Sequence, residues 1–272
     1  MDITANESTT AFPESPVEGE NPRAIVPRST VYPRGHRITP HWHTRAQFVF
    51  ATRGTITVRT QRRAWIVPPS RALWLPAHTV HEVQTYGEVE MRSLYVKTAD
   101  AEGMPETCVV LEVTPLLREL VVRAAALPVE YDEAGDDGLL MQLLMAEMRR
   151  VPRCALDLPL AESIDLRGLC EQILDELAAG RPRAGSATAV AAGGVLNVSS
   201  KTLYRRFLRE TGISFARWKQ QARLLEAIRK LADGVSVTTV AMDLGYDSAS
   251  AFSTMFRRSL GVSPRVFLSE RK

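Results

Sequence analysis

Between Gln47 and Val96 hydrophobic and polar residues alternate with period two, most clearly in Thr55-Ile56-Thr57-Val58-Arg59-Thr60. Such alternation is what a strand with one buried face produces. Arg53-Gly54, Pro68-Pro69 and Tyr86-Gly87 punctuate the run as turns, which predicts short strands in an antiparallel barrel or sandwich. After Thr114 the period becomes that of a helix. Leu116, Leu117, Leu120, Val121 and Ala124 share one face, and Leu139, Leu140, Leu143, Leu144 and Met148 share another, with the acidic loop Glu130 to Asp137 between them. These stripes fit two roles equally well: padding for the sheet, or a dimer-forming surface, since leucine this dense can exceed what one small domain buries.

Val151-Pro152-Arg153 and Leu158-Pro159 then interrupt regular structure and mark a linker. From Asp165 onward the chain reads as helix. Leu166, Leu169, Ile173, Leu174 and Leu177 form a face that stops at Gly180-Arg181-Pro182. A longer helix starts at the N-cap Ser214, turns Phe215, Trp218, Leu225, Ile228 and Leu231 inward, and stops near Gly234. At the other end, residues 1 to about 24 set Pro13, Pro16, Gly19 and Pro22 among Glu, Ser, Thr and Asn, and read as a disordered tail.

A chain of 272 residues with 45% hydrophobic and 24% charged residues has material for two domains with separate cores. Cys108, Cys154 and Cys170 lie far apart with no C-x-x-C pair, so neither a disulfide framework nor a thiolate zinc site is expected. No apolar run nears the roughly 20 residues that span a bilayer, and the acidic, polar start has no signal core, so the expected location is the cytoplasm. The net charge of +3 hides an asymmetry: Asp165 to Lys272 carries 17 Lys and Arg against 10 Asp and Glu, and the remainder 17 against 21. A basic C-terminal part suits a polyanion. All five histidines fall between His36 and His81, which separates a second job from the first.

In the basic part, Val237, Val240, Ala241 and Leu244 fit a short helix, Gly245-Tyr246-Asp247 a sharp turn, and Ser248 the cap of a second helix anchored by Phe252 and Phe256. That is the outline of a helix-turn-helix, whose second helix enters the DNA major groove. Ala249, Ser250, Ser253 and Thr254 are left to face bases, with Arg257 and Arg258 near phosphates. The layout recurs earlier, where Ser199 caps a helix with Leu203 and Phe207 inward and Lys201, Tyr204 and Arg205 outward. Arg205 suits a guanine O6/N7 pair, while Arg206 and Arg209 suit phosphates. Either arginine row alone would be read as a solvated helix face; two capped helices at matching positions favour DNA reading.

The run Arg209-Glu210-Thr211-Gly212-Ile213-Ser214-Phe215, then Ala241, Gly245-Tyr246-Asp247-Ser248, Ala251-Phe252, Phe256-Arg257-Arg258 and Gly261-Val262-Ser263-Pro264, resembles the AraC family of transcription regulators over roughly the last hundred residues. The resemblance implies an all-α domain of seven helices with two helix-turn-helix units, reading two successive major-groove segments through Lys201, Tyr204 and Arg205 in the first unit and Ala249, Ser250, Ser253 and Thr254 in the second. One stretch departs from the family: Ala187 to Asn197, where the first unit's leading helix belongs, holds Gly193-Gly194 and mostly alanines in place of the usual large apolar anchors. Each glycine costs about 1 kcal/mol against alanine in a helix, so the first unit is expected to be the less stable.

Gly35, His41-Trp42-His43, Gln47 and Gly54 resemble the first cupin motif, with Gln47 where metal-binding cupins often have glutamate, and Pro76-Ala77-His78-Thr79-Val80-His81 echoes the second. The resemblance implies an all-β double-stranded β-helix in which His41, His43, His81 and Gln47 converge at the barrel mouth. Three imidazoles and an amide oxygen suit a divalent transition metal such as Zn, Ni, Mn or Fe. Alternation on one strand would put His41 and His43 on the same side. The alternative is a pocket without metal. Trp42, Trp65 and Trp74 are candidates to line an organic-effector pocket, or else plain core.

Gly35 through Trp65 to Ala77, with Thr114 to Leu120, is similar to the cupin-sensor subgroup of the AraC family, which includes regulators of efflux transporters such as the nitroimidazole-resistance regulator. The domains expected are therefore a tail over 1–24, a cupin-like sensor over 25–110, a helical dimerisation or linker region over 111–162, and a double helix-turn-helix domain over 163–272. The function expected is sequence-specific regulation of transcription, with an adjacent exporter gene as the candidate target, by a homodimer whose partners are double-stranded DNA, a small-molecule effector or metal, and RNA polymerase. Rival readings are a metal-dependent cupin dioxygenase or isomerase with a DNA-binding tail, and nonspecific nucleic-acid binding. Against the first, no carboxylate completes the ligand set and Glu82 reads as a surface residue. Against the second stand the base-facing Tyr204 and Arg205.

Overall fold

The alternating segment folds into β1 (Ile25–Tyr32), β2 (Arg37–His41), β3 (Ala46–Arg59), β4 (Arg63–Val67), β5 (Arg71–Leu75), β6 (His81–Val96) and β7 (Val109–Glu112) in a computed structural model. The structure describes residues 21–154, 157–180 and 196–269. It divides into two units, one of Met1–Thr60 with Val67–Ala155 and one of Gln61–Ile66 with Leu156–Lys272.

In the first unit the strand order is β1-β6-β3-β5-β7-β8, where β8 is Arg153–Cys154, and β2 adds to β6. Register explains the core. Leu94, Phe48, Trp74 and Val109 stand in one row across the sheet, and Phe50, Ala72 and Leu111 in the next on the same face. Against that face lie α1 (Pro115–Ala124) and α2 (Asp136–Arg150), which bury Leu117, Leu120, Val121, Met141, Leu144 and Met148 in the same cluster. Thr114 starts α1 by accepting the Leu117 N–H at 3.2 Å. The helical stripes thus pad the sheet over most of their width. Leu139 and Leu143 of α2, 63% and 47% exposed, and Leu116 of α1 remain outside this cluster.

Two of the expected turns are not turns. β3 runs through Arg53-Gly54 and β6 through Tyr86-Gly87, giving two long strands in place of several short ones. Gly54 and Gly87 have φ of +79° and +72°, and the β3–β6 register shifts beside Gly54. A glycine in this conformation bends a strand at a bulge without reversing it. Gly54 also lets the chains close up, since a Cβ there would sit 2.4 Å from the Glu88 carbonyl oxygen.

Of the N-terminal segment read as a tail, residues 1–20 lie outside the described residues. Asn21 to Ala24 are held to the first unit: Arg45 donates to the Asn21 and Arg23 carbonyls, and Ala24 N–H donates to Glu133 Oε1 at 2.9 Å.

In the second unit β9 (Asp157–Pro159) pairs antiparallel with β4. The helices are α3 (Ile164–Ala178), α4 (Ser200–Thr211), α5 (Phe215–Ala232), α6 (Val237–Asp243), α7 (Ala249–Leu260) and α8 (Pro264–Ser269). Phe207 meets Phe215 and Trp218 edge-on at 5.1 and 5.8 Å, and Phe256 meets Phe252 and Phe267 at 5.6 and 5.5 Å, one aromatic cluster beneath each of α4 and α7. The glycine-bearing leading helix expected over 187–197 lies, through residue 195, outside the described residues. Among the described residues, no helix is long and apolar enough to cross a membrane.

Gly54→Ala is expected to lower unfolding stability by about 1–3 kcal/mol, because it combines a strained φ with a backbone clash. Urea denaturation read by tryptophan fluorescence measures this, and a midpoint equal to that of the parent protein would contradict it.

Candidate nucleic-acid interface and effector site

Each helix of the second helix-turn-helix is started by a serine. Ser236 accepts the Thr239 N–H at 3.1 Å and Ser248 accepts the Ala251 N–H at 3.1 Å, which fixes the first turns of α6 and α7. Between them Gly245, at φ +76°, reverses the chain, and Tyr246 N–H returns to the Ala241 carbonyl at 2.9 Å. Lys230, buried on α5, pairs with Asp243 of α6 at 2.6 Å and holds α6 on α5, while the buried Phe252 and Phe256 set the outward phase of α7. Ser250, Thr254, Arg257 and Arg258 are then exposed, and Ala249 and Ser253 half-buried beside them. Ser253 and Thr254 donate their hydroxyl protons to the Ala249 and Ser250 carbonyls at 2.7 and 3.0 Å. In this state they present acceptor lone pairs, and Thr254 a methyl, which suits base-edge amines and thymine methyls.

The first helix-turn-helix repeats the cap and the buried anchors on its second helix, α4. Ser199 accepts the Thr202 N–H at 3.2 Å, Gly212 closes the helix at φ +75°, and Leu203 and Phe207 are fully buried. Lys201, Tyr204, Arg205 and Arg209 are exposed on the opposite side. Arg206 stands apart from them. Its guanidinium donates to Asp165 Oδ1 at 2.9 Å and lies 2.8 Å from Oδ2, so it is turned toward the start of α3. Next to it Glu210 accepts from the Ser163 N–H and hydroxyl at 2.9 and 2.7 Å. Burial by itself would raise the Glu210 carboxyl, but the Ser163 hydrogen bonds and the Arg206 charge outweigh it and hold it low. The hydrogen bond from Arg206 likewise holds Asp165 low. Sequence reasoning missed this four-residue cluster because Ser163 and Asp165 are about 40 positions from their partners.

In the first unit His41, His43 and His81 are buried, with ligand nitrogens all within 4.8 Å of one another. His41 and His81 face each other across β2 and β6, rings 4.4 Å apart. Strand alternation does not bring in His43, as β2 ends at His41; the bend before β3 does so, pinned where His78 N–H donates to the His43 carbonyl at 2.8 Å. Backbone carbonyls fix two tautomers. His41 Nδ1 lies 2.8 Å from Thr39 O and His81 Nδ1 2.8 Å from Thr79 O, so each Nδ1 carries the proton and each Nε2 the lone pair. His81 Nε2 is buried without a hydrogen-bond partner among the described residues. Burial above all, then the charges of its neighbours, depress the His81 pKa to about 3, and burial lowers that of His41. His41 and His81 are therefore neutral, each with an Nε2 lone pair to donate. Gln47 spends its amide nitrogen on Ser93 Oγ and Tyr95 OH, at 3.2 and 3.3 Å, and its Oε1 has no partner among the described residues. Tyr95 connects the two parts, with its ring 4.9 Å from that of His43. Three imidazoles beside an amide oxygen fit a divalent transition metal, which would be bound as a Lewis acid. No carboxylate joins the cluster among the described residues.

The three tryptophans are not brought together. Trp42 sits 5.4 Å from His78, Trp74 lies in the helix-packed core with its Nε1 donating to Pro105 O at 2.9 Å, and Trp65 is counted with the second unit. Glu82 is half-buried and paired with Arg37 at 2.6 Å.

A β-domain with a buried polar site, joined in one chain to a helical domain whose serine-capped helices α4 and α7 each turn an exposed cationic face outward, defines a ligand-responsive DNA-binding regulator. Residues 27–148 match the AraC-like ligand binding domain family and residues 194–270 match a helix-turn-helix domain family. The chain is 33% identical over 229 residues to the HTH-type transcriptional regulator NimR of Escherichia coli K12, covering 84% of this chain and 81% of that one. The HTH-type transcriptional regulator RipA of Corynebacterium glutamicum is 37% identical over 73 residues, 27% of this chain and 22% of its own. Among solved structures, the DNA-binding domain of AdpA in complex with a target DNA is 29% identical, covering 39% of this chain and 92% of that one at a TM-score of 0.35. ToxT from Vibrio cholerae matches at 11% identity, with coverage of 93% and 100% and a TM-score of 0.38. The chain belongs to the AraC family: it is a DNA-binding transcription regulator with an N-terminal ligand-binding domain, and the curated relatives it matches are regulators rather than enzymes.

In metal-free protein the neutral His81 links stability to pH. Its folded pKa lies below the unfolded value, so the unfolded chain binds the extra proton as pH falls through 6.5, and stability drops until about pH 3. Between pH 7 and 5 this amounts to at most about 2 kcal/mol. His81→Gln is expected to flatten that part of the profile in chemical denaturation; an unaltered slope would count against a buried neutral imidazole.

Proposed function

We propose that this regulator reads its operator through Lys201, Tyr204 and Arg205 of α4 and through Ala249, Ser250, Ser253 and Thr254 of α7, with Arg209, Arg257 and Arg258 on phosphates. The observation that carries the reading is that each helix is capped by a serine and anchored by two fully buried side chains, Leu203 and Phe207 or Phe252 and Phe256, leaving these residues outward. The effector binds in the β-domain at His41, His43, His81 and Gln47, with a divalent transition metal as the ligand or as its anchor. Effector binding acts by favouring the DNA-competent arrangement, which requires different affinities for the two arrangements. The protein works in the cytoplasm as a homodimer, for which exposed Leu139 and Leu143, one turn apart on α2, supply an apolar contact. The gene controlled is a neighbouring exporter, following the likeness to the efflux-regulating subgroup.

Genome-wide occupancy in the native cell tests the DNA reading. Sharp peaks lost in a Tyr204→Ala, Arg205→Ala variant are expected, and diffuse occupancy indifferent to that variant would overturn it. In vitro, Arg205→Ala should relax specificity at one base by about 1–3 kcal/mol, whereas Arg257→Ala should weaken all sequences alike and reduce the salt slope by about 1. Metal analysis after dialysis against zinc tests the histidine site. About one ion per chain is expected, lost in His43→Ala; a metal content unchanged by His43→Ala would place the ion elsewhere.

A further inference from the structure

Residues Gln61–Ile66 come from the β-rich half of the sequence, yet they form part of the second unit. There, β4 pairs with β9 through Arg63↔Pro159, Ala64↔Leu158 and Trp65↔Asp157. The attachment is polar at both ends. Arg63 forms an ion pair with Asp157, Leu160 N–H donates to the Arg62 carbonyl at 2.8 Å, and Arg167 bridges the Ala161 and Gln61 carbonyls at 2.9 and 3.3 Å.

The far end of the nine-residue segment Asp157–Asp165, which begins with β9, holds α4. Ser163 donates twice to Glu210, and Asp165 takes the Arg206 guanidinium. From beneath, Trp218 Nε1 donates to the Pro159 carbonyl at 2.8 Å while its ring packs on Phe207, the inward anchor of α4. β4, the segment and α4 are thus joined by an unbroken chain of hydrogen bonds and ion pairs.

We infer that Asp157–Asp165 is a splint that sets the position of the DNA-reading helix on β4, and that Arg206 and Glu210 are positioning residues of that helix. Arg206 then acts through Asp165 and not on a phosphate. The inference rests on the reading of α4 as a base-contacting helix.

The test uses the full-length protein and a duplex that it selects from a random-sequence pool. Affinity is measured at several salt concentrations for Asp165→Ala, Arg206→Ala, their double variant, Arg63→Ala alone and combined with Arg206→Ala, and the swap Asp165→Arg with Arg206→Asp. Two groups acting as one unit give non-additive losses, so each single variant should weaken binding by about tenfold and the double variant by no more. The salt slope should stay at its parent value, the swap should recover most of the affinity, and Arg63→Ala should weaken binding without adding to the loss from Arg206→Ala. The inference is overturned if Asp165→Ala binds like the parent while Arg206→Ala weakens selected and random duplexes equally and lowers the salt slope by about 1. Melting temperatures separate misfolding from mispositioning: a swap that melts with the parent but fails to recover affinity also overturns it. Tyr204→Ala serves as the control, because a loss there alongside normal Asp165→Ala binding rejects the splint and keeps the reading of α4, whereas no loss at Tyr204 rejects that reading itself.

Discussion

An α-helix begins with backbone N–H groups that have no partner within the helix, and the protein meets this requirement with hydroxyl side chains. Thr114, Ser199, Ser214, Ser236 and Ser248 each accept an N–H three residues on, at the starts of α1, α4, α5, α6 and α7. The cap fixes where the helix starts, and the start fixes its rotational phase. With Phe207 and Phe256 then committed to the interior, the phase determines which side chains can meet a base pair. The proposed DNA-reading surface is thus a consequence of capping and aromatic packing, before any charge is considered.

Charge refines the surface by removing some cations from it. Lys230 is buried against Asp243 and Arg206 is drawn onto Asp165, so both are spent on geometry. An ion pair at a half-exposed site contributes little to stability, and its value is directional: a guanidinium held by both oxygens of a carboxylate fixes one helix against the next. Lys201, Arg205, Arg209, Arg257 and Arg258 keep their exposure and supply the positive field.

The ligand-binding domain applies the complementary rule. Its sheet buries Phe48, Phe50 and Trp74 against two helices on one face, whereas Gln47, Ser93 and Tyr95 occupy the other face of the same strands. Polar groups in such a place must be paired or be waiting for a ligand. His41 and His81 have their Nδ1 atoms satisfied by the backbone, which leaves a lone pair on Nε2 of each. Burial keeps the pair neutral, and neutral imidazole is the form that can coordinate.

By itself the sequence determined what depends on local periodicity and on the hydrogen-bonding needs of neighbours. The serine caps, the i, i+4 anchors Leu203 with Phe207 and Phe252 with Phe256, the glycine turn at Gly245, and the approach of His41, His43 and His81 were all legible, since each is a short-range pattern or a motif that carries one. Tertiary structure alone decided whether a glycine would reverse a strand or bend it, as at Gly54, where the close approach of Glu88 settles the matter. It likewise decided that His43 arrives from a bend and not from β2, that Trp42, Trp65 and Trp74 go to three different places, and that Arg206 turns to Asp165 and not outward with Arg205. Those outcomes depend on partners distant in sequence, and periodicity along a chain says which face a residue occupies but not what stands opposite it.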